Sequence, residues 1–403
     1  MAFRFPARWR GREHGPNPLT EAVIARRASG ADVLDLTVSN PTLVGLPVPL
    51  DWPRHLGGDG AVAGQAGAES LNTYDPHPQG LESARRAIAA YYRDRGADVD
   101  PDALFLTAGT SEAYGHLFKL LCEPGDTVLV PRPSYPLLDT LAELAGLNLG
   151  HYPLMARDGD DAISWRLDRE ALLAALTPRV RILCVVHPNN PTGSPLEADD
   201  AAWLVRVAEA RKLAVVVDEV FADYRFDGGS TALVTSKEAL VFTLNGLSKL
   251  VGLPQLKLAW IHVSGPAADL AIAKDALEWM CDAALSVGTA PQLACAPLLA
   301  RRAEFQGPIR ARLEENLAAL RAVADSCPRL KPLWPKGGWC VPVRCAGIED
   351  DETFAIRLVE EAGVIAQPGY FFDFDDEETL VVSLLTPPEL FREGLARIVK
   401  TLG

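Results

Sequence analysis

The chain has 403 residues, of which 48% are hydrophobic and 23% are charged, and its formal net charge at pH 7 is −14. This much hydrophobic sequence can bury a large core, and the length predicts two or more domains. The negative charge argues against nucleic acid or acidic lipid as a main partner, and no apolar run approaches the roughly 18 residues of a membrane span.

The cysteines indicate the cellular compartment, and the histidines bear on whether a metal site is expected. The seven cysteines are an odd number without a Cys-x-x-Cys pair, and Cys122, Cys184 and Cys295 lie in apolar stretches. We therefore expect reduced core thiols and a cytoplasmic protein. The seven histidines are scattered without the spacing of metal ligands, so we expect no metal site.

Predicted strands and helices alternate through the middle of the chain. The first predicted strand, 103–107, is followed by a helix pattern over 111–121. The later strands are near-continuous apolar runs at 127–130, 181–186, 213–217, 240–244 and 258–263. Such strands, separated by helices, predict a mostly parallel sheet that is covered on both faces.

The pattern of predicted strands and helices changes towards the carboxyl end. We predict one large α/β domain over 55–290 and a smaller α+β domain over 291–403. The smaller domain contains a long charged helix pattern at 309–324 and short strands at 339–343 and 379–384.

Polar residues follow several of the predicted strands. Gly109-Thr110-Ser111 follows the first strand, Asn190 and Asp218 follow two others, and Lys249 lies in a Gly/Ser turn after a fourth. Ligands of an open α/β sheet bind at the carboxyl ends of its strands, which makes these residues candidates for one binding site.

A phosphate requires backbone N–H donors and a helix N-terminus, which Gly109, Thr110 and Ser111 would supply. Ser248 and Lys257 would add a hydroxyl and a cation. From the residues alone, an ordinary helix cap by Thr110 or Ser111 explains the same pattern.

Several different short motifs follow one another along the chain in a specific order. They are Tyr74-Asp-Pro-His-Pro-Gln-Gly80, Thr107-Ala-Gly-Thr-Ser-Glu-Ala113, Asn190-Pro-Thr-Gly193, Asp218-Glu-Val220, Leu247-Ser-Lys249, Gly337-Gly-Trp339 and Val364-Ile-Ala-Gln-Pro-Gly369. Each motif is weak alone. As an ordered set, the sequence resembles the fold type I aminotransferases of class I/II, the aspartate aminotransferase superfamily, which depend on pyridoxal 5′-phosphate.

The resemblance implies a large domain with a mostly parallel seven-stranded sheet and a small α+β domain built from both termini. It assigns residues 1–54 to an N-terminal arm and part of the small domain. It also implies a homodimer with active sites at the interface, where Tyr74 would reach the cofactor phosphate of the partner subunit.

The resemblance also implies residue roles. Lys249 would form a Schiff base with the cofactor and move a substrate proton, and Asp218 would hold the proton on the ring nitrogen. Asn190 would donate to the phenolic oxygen, and Tyr135 would stack on the ring. Without the resemblance, Asp218 can be read as a helix cap, Asn190 as a turn residue and Tyr135 as a core aromatic.

Three positions depart from the family pattern. Phe221 replaces a tyrosine whose hydroxyl contacts the cofactor, which predicts a higher pKa for the lysine–cofactor linkage. Lys257 replaces an arginine and keeps the charge without its bidentate geometry. Val381 stands where the family places the arginine that binds the substrate carboxylate.

Without that arginine, the sequence does not show which group would bind a substrate carboxylate. Arg132, Arg344 or the backbone of residues 39–41 could compensate. The predicted substrate contacts are Ser39, Asn40, Trp339 and Val381.

The leading interpretation is an aminotransferase that moves an amino group between an amine or amino-acid donor and a keto acceptor, with an atypical substrate. The alternative is a lyase, decarboxylase, cyclase or carbon–carbon bond-forming enzyme on the same fold, because fold does not fix the reaction. A DNA-binding regulator with this fold is disfavoured by the acidic charge.

Overall fold

The computed structural model describes residues 3–6, 9, 15–57, 71, 74, 76–158, 163–229 and 233–403, and the side chains of 157–164 are not described. Part of the predicted N-terminal arm lies outside these residues.

The strands are numbered in chain order. They are β1 Leu34–Asp35, β2 Leu104–Thr107, β3 Thr127–Arg132, β4 Asn148–Asp158, β5 Ile163–Leu167, β6 Val180–Val186, β7 Ala214–Asp218, β8 Val241–Gly246, β9 Ala259–Ser264, β10 Leu330–Pro332, β11 Cys340–Cys345, β12 Val364–Ile365, β13 Gln367–Pro368 and β14 Thr379–Ser383.

The α-helices lie between and around these strands. They are Pro18–Ala28, Glu82–Asp94, Thr110–Leu121, Leu137–Leu144, Arg169–Ala175, Ala198–Arg211, Leu247–Leu250, Ala267–Ala284, Thr289–Ala300, Arg302–Ser326, Asp351–Arg357 and Pro388–Leu402. Short 3₁₀ turns include Ala222–Tyr224, Pro254–Leu256 and Gly369–Phe372.

The largest sheet within the described residues has eight strands in the order β2-β9-β8-β7-β6-β3-β4-β5. Strands β4, β3, β6, β7 and β8 run parallel, and β9 is antiparallel to both β8 and β2. The predicted mostly parallel α/β sheet is therefore confirmed, and so are the six predicted strands, within two residues at each end.

The sheet has one strand more than the predicted seven. The extra strand comes from the hairpin of β4 and β5, which pair antiparallel from Leu154↔Leu167 to Asp158↔Ile163. These segments mix polar and apolar residues, unlike the continuous apolar runs that identified the central strands.

The apolar strands are buried on both faces, as their sequence requires. Every residue of β7 and β8 is buried. Val216 packs in a core cluster with Phe105 and Phe118, whereas Val215 packs with Leu183 in a different cluster on the other face. This alternation follows from the two-residue period of a strand.

A second, four-stranded antiparallel sheet, in the order β10-β11-β14-β13, lies in the carboxyl-terminal part of the chain. The amino-terminal segment joins this part, because β1 pairs parallel with β12 through Leu34↔Val364 and Asp35↔Ile365. Leu36 packs in the same core cluster as Val341 and Phe391.

Candidate active site

One edge of the eight-stranded sheet collects the predicted polar residues. Strands β2, β6, β7 and β8 point in the same direction, so the residues that end or follow them meet at that edge. Strand β9 is antiparallel and therefore begins there, which places Lys257, two residues before it, at the same edge.

The turn after β2 lies close to the side chain of Lys257. Gly109 caps the helix Thr110–Leu121, so Thr110 and Ser111 occupy its first turn. A Cβ atom at Gly109 would lie 3.3 Å from the Nζ atom of Lys257. Lys257 has no salt bridge within the described part of the chain. A helix N-terminus, a glycine and an unpaired ammonium group together form a site suited to a phosphate.

Asp218 ends β7 and is only 8% exposed. Its carboxylate accepts a hydrogen bond from the hydroxyl of Tyr114 at 3.2 Å and another from the backbone N–H of Val220 at 3.1 Å. Burial raises the pKa of Asp218 to about 6, although both hydrogen bonds and the nearby Lys249 oppose that rise. A buried carboxylate of this kind is stabilised by a cationic partner.

Lys249 lies on the helix Leu247–Leu250, directly after β8. Its Nζ atom is 5.2 Å from the ring centre of Trp339 and 5.9 Å from that of Phe221. Burial lowers the pKa of the Lys249 amine, while Cys340 and Asp218 oppose this shift. A lower pKa increases the fraction of neutral amine, which is the nucleophilic form.

Two tyrosines that the sequence did not indicate contact these residues. Tyr114 binds Asp218, and the hydroxyl of Tyr224 donates to the backbone carbonyl of Lys249 at 2.8 Å. The Tyr224 ring also packs edge-on against Trp339, at 5.1 Å between ring centres. The only sequence signal for Tyr224 is its position six residues after Asp218.

The loops after β6 and β3 meet at the same edge. Asn189 is buried and joins them, because its Nδ2 donates to the Pro133 carbonyl and its Oδ1 accepts from Thr192. Asn190 is only partly buried, and Tyr135 is 48% exposed. Asn190 lies in the turn 190–192, in agreement with its alternative reading as a turn residue, and Asn189 accepts the side-chain hydrogen bonds that hold this turn.

Ser248 is partly buried on the helix that carries Lys249. Tyr74 is 83% exposed. No contact of Tyr74 with the residues at the sheet edge is observed within the described part of the chain.

The predicted substrate residues fall into two groups. Ser39 is exposed, and the Oδ1 atom of Asn40 is already occupied in a turn, where it accepts from the backbone N–H and hydroxyl of Thr42 at 3.0 and 2.7 Å. Trp339 and Val381 are buried, with exposures of 1% and 0%.

The two arginines considered as replacements are occupied by acidic residues. Arg132 lies 3.2 Å from Asp375 and donates to the Asp373 carbonyl, and Arg344 lies 3.0 Å from Asp376. Both arginines therefore have partners within the carboxyl-terminal part of the chain.

Comparison with known proteins places this geometry in a family. The family model described as aminotransferase class I and II matches residues 33–398. The chain belongs to the class I and II aminotransferases. Members of this family are PLP-dependent, and the protein is a PLP-dependent aminotransferase.

Curated relatives cover most of this aminotransferase. It is 28% identical to the arginine–pyruvate transaminase AruH of Pseudomonas aeruginosa, over 93% of this chain and 91% of that protein. It is 32% identical to the probable N-succinyldiaminopimelate aminotransferase DapC of Mycobacterium tuberculosis, over 76% of each chain.

Solved structures share the fold. The alanine aminotransferase of Pyrococcus furiosus superposes with a TM-score of 0.86 at 22% identity, covering 99% of both chains.

The residues of the site fit the cofactor. The cradle at Gly109 and Lys257 suits a phosphate, Asp218 offers a buried carboxylate for a protonated ring nitrogen, and Lys249 offers an amine of lowered pKa. When bound, pyridoxal 5′-phosphate supplies an electron-withdrawing ring that stabilises negative charge on the substrate carbon.

None of the described helices is long and apolar enough to cross a bilayer. No cluster of potential metal ligands occurs among the described residues.

Proposed function

We propose that this aminotransferase moves an amino group from an amine or amino-acid donor to a keto acceptor, with Lys249 as the residue that binds the cofactor covalently and then carries the substrate proton. The observation that carries the proposal is the position of the Lys249 amine. It lies beside the adjoining rings of Trp339 and Phe221, near Asp218, at the edge where the strands end.

The remaining site residues take supporting roles in this proposal. Asp218 keeps the ring nitrogen of the cofactor protonated, and its burial among Tyr114 and Val220 supports a fixed orientation. Gly109, Thr110, Ser111, Ser248 and Lys257 hold the phosphate. Asn190 donates to the phenolic oxygen, and Tyr135 covers the ring.

We also propose a cytoplasmic homodimer in which Tyr74 completes the phosphate site of the partner subunit. The exposure of Tyr74, 83%, supports a contact outside its own chain. Multi-angle light scattering together with Tyr74→Phe would test this proposal. A monomer with full cofactor affinity contradicts it.

The relatives do not fix the donor. The name of AruH specifies arginine and pyruvate, whereas that of DapC specifies N-succinyldiaminopimelate. They share amino-group transfer to a keto compound, and this shared chemistry is the part that supports the proposal.

Replacement of Lys249 by alanine tests the central assignment. We expect Lys249→Ala to lose turnover by at least about 1,000-fold, as for other nucleophile deletions. Borohydride reduction of the loaded wild type, followed by peptide mass spectrometry, should find the cofactor on the peptide that contains Lys249.

The matched control is Lys331→Ala, because Lys331 is an exposed lysine on β10. This variant should keep both the label and turnover. An active Lys249→Ala variant, or a label on another lysine, contradicts the assignment.

A further inference from the structure

The turn that carries Lys249 is completed by side chains from other parts of the chain. Residues 247–252, the lysine turn, begin as a four-residue helix, which is too short to satisfy its last carbonyl groups internally. The carbonyl of Lys249 accepts from the hydroxyl of Tyr224 at 2.8 Å, and that of Leu250 accepts from the Nε2 atom of Gln306 at 3.0 Å. The position of the lysine turn therefore depends on where Tyr224 and Gln306 lie.

One face of the helix Arg302–Ser326 packs against the lysine turn. Gln306 and Arg310 are one helical turn apart and point to the same side. Between them, Ile309 lies against Gly252, because a Cβ atom at Gly252 would be 3.3 Å from the Cδ1 atom of Ile309. The φ angle of Gly252 is 63°, a left-handed value that glycine adopts readily. The helix therefore meets the lysine turn at close range.

Arg310 acts on the segment that carries Tyr224. Its Nη2 atom donates to the backbone carbonyl of Asp223, and its guanidinium carbon lies 5.8 Å from the centre of the Tyr224 ring. The Asp223 carboxylate is held by other elements, because it accepts from the hydroxyl of Tyr91 at 2.6 Å and pairs with Arg95 at 2.5 Å. Tyr224 is thus fixed at its base, so its hydroxyl reaches the lysine turn in one orientation.

The same helix is also fastened to the four-stranded sheet. The Nδ2 atom of Asn316 donates to the carbonyls at the two ends of the segment 384–386, which follows β14, at 2.8 and 2.7 Å. Arg312 donates to the carbonyl of the middle residue of this segment at 3.1 Å. The first residue of the segment donates its backbone N–H to the carbonyl of Trp339. The helix therefore connects the strand ends beside Trp339 to the lysine turn.

A reacting group needs a fixed place, because a small displacement slows a reaction strongly. We propose that Gln306 and Arg310 are positioning residues, which hold the lysine turn and thereby fix the Lys249 amine at the strand ends. Both act through the backbone and through Tyr224. This inference rests on the proposed role of Lys249 in amino-group transfer.

Gln306→Met tests the proposal, because methionine is a flexible side chain that fills space without an N–H donor. Gln292→Met is the matched control. Both glutamines are 8% exposed, and the Nε2 atom of Gln292 donates to the backbone carbonyl of Val287 at 2.8 Å. Gln292 also accepts from the backbone N–H of Leu81, so its loss should destabilise the fold at least as much as the loss of Gln306.

The first readout uses the cofactor-free protein. Cyanate carbamylates the neutral form of an amine, and peptide mass spectrometry follows this reaction at Lys249 as a function of pH. Burial lowers the pKa of Lys249, although Cys340 and Asp218 oppose this shift, and a displaced lysine turn should return the pKa towards its ordinary value. We expect the neutral fraction at pH 8 to fall about three- to tenfold in Gln306→Met and to stay unchanged in Gln292→Met.

The second readout is the rate at which added pyridoxal 5′-phosphate becomes covalently attached to Lys249, followed by absorbance. This rate depends on the amine and requires no knowledge of the substrate. Gln306→Met should lower it about tenfold, since the amine no longer waits in the reactive position. Gln292→Met should attach the cofactor at the wild-type rate.

Arg310 offers an independent test with a conservative variant. Arg310→Met should slow attachment as Gln306→Met does. Arg310→Lys keeps a cation over the Tyr224 ring and a donor for the Asp223 carbonyl, so it should recover most of the rate. If Arg310→Met does not fold, Gln306→Met still decides.

The outcomes separate this inference from the proposed function. If Gln306→Met lowers the melting temperature but leaves carbamylation and attachment unchanged, Gln306 only stabilises the fold and the inference is overturned. That result leaves Lys249 as the residue that carries the cofactor. A wild type in which borohydride reduction finds the cofactor on another lysine overturns the proposed function, and this inference with it, before any variant is compared.

Discussion

The two walls around the Lys249 amine differ in chemistry. On the side of the large sheet, polar groups stand at strand ends: Asp218 after β7, and Gly109 with Lys257 where β2 ends and β9 begins. On the side of the small sheet, Val381 and its neighbours form a closed apolar cluster. The first wall has polar groups that are free to bind a ligand. The arginines beside the second wall, Arg132 and Arg344, are already paired with acidic residues.

The difference shows how one scaffold separates two tasks. The polar wall is built from short segments that directly follow strands, so the backbone positions it and it suits a cofactor that stays bound. The apolar wall depends on side chains from β11, β14 and the 3₁₀ turn Gly369–Phe372, which can change without altering the strand ends. Function is therefore better inferred from the first wall.

The largest effect on the polar wall is expected from Asp218→Asn. Loss of the carboxylate should lower kcat by about 100-fold or more, on the scale of other electrostatic groups in active sites. Glu219→Gln is the matched control. Glu219 is also buried, and burial raises its pKa to about 8, but its charged neighbours are Arg95 and Asp223 as well as Asp218. It should change kcat by only a few-fold.

Asp218→Asn also has a stability signature without cofactor. The pKa of Asp218 is raised to about 6 in the folded protein from an ordinary 3.8, so its ionised form destabilises the fold above pH 6 and has little effect below pH 4. Asp218→Asn should therefore stabilise the cofactor-free protein at pH 7–8 by roughly 2–3 kcal/mol, with the gain disappearing as the pH falls to 4. Urea unfolding at several pH values measures this. A gain that does not depend on pH contradicts the assignment.

A smaller effect is expected from removal of the cation in the phosphate cradle. Lys257→Met should weaken cofactor binding by about 10- to 100-fold, because a hydrogen bond to a charged group is lost. Fluorescence titration of the cofactor-free protein measures the affinity, with Lys331→Met as the exposed control.

Gly109→Ala adds a second probe of the cradle. The φ angle of Gly109 is 171°, an extended value that alanine also adopts, so the backbone is not strained by the change. The new methyl group would lie 3.3 Å from the Lys257 Nζ atom. Weaker cofactor binding with unchanged unfolding of the cofactor-free protein is expected. Unchanged binding in both variants would show that the phosphate lies elsewhere.

The sequence predicted the polar wall well because its residues are local to strand ends. Asp218, Lys249 and Gly109 could each be placed at one edge once the apolar runs were taken as parallel strands. The partners of these residues could not be predicted in the same way. Tyr114 is 104 residues from Asp218 in the chain, and its contact depends on how the helix Thr110–Leu121 packs beneath the sheet edge.

The apolar wall was predicted only in part. Val381 was identified from the missing arginine, but its neighbours Leu333, Phe372 and Phe374 come from two separate segments that no local pattern connects. The pairing of Arg132 and Arg344 with Asp375 and Asp376 likewise depends on tertiary contacts. Long-range side-chain contacts of this kind are set by packing and not by the periodicity of the sequence.

The smallest effect is expected from Tyr224→Phe, a change at a residue that contacts both Trp339 and Lys249. Tyr224 packs on Trp339 and donates to the Lys249 carbonyl, so it fixes the backbone that carries the amine. Tyr152→Phe is the matched control, because Tyr152 is also buried and donates to the backbone carbonyl of Cys184 at the same distance of 2.8 Å. Each substitution should destabilise the fold by about 1 kcal/mol through one lost hydrogen bond.

Only Tyr224→Phe should also affect the reaction. A displaced Lys249 backbone should lower kcat about three- to tenfold with little change in KM, since misplacement of a reacting group reduces the rate more than the binding. The pH midpoint of kcat should move as well, because the burial that lowers the pKa of Lys249 depends on where its side chain lies. If Tyr224→Phe and Tyr152→Phe lower the melting temperature equally and leave kcat and its pH midpoint unchanged, Tyr224 stabilises the fold and does not position the reactive amine.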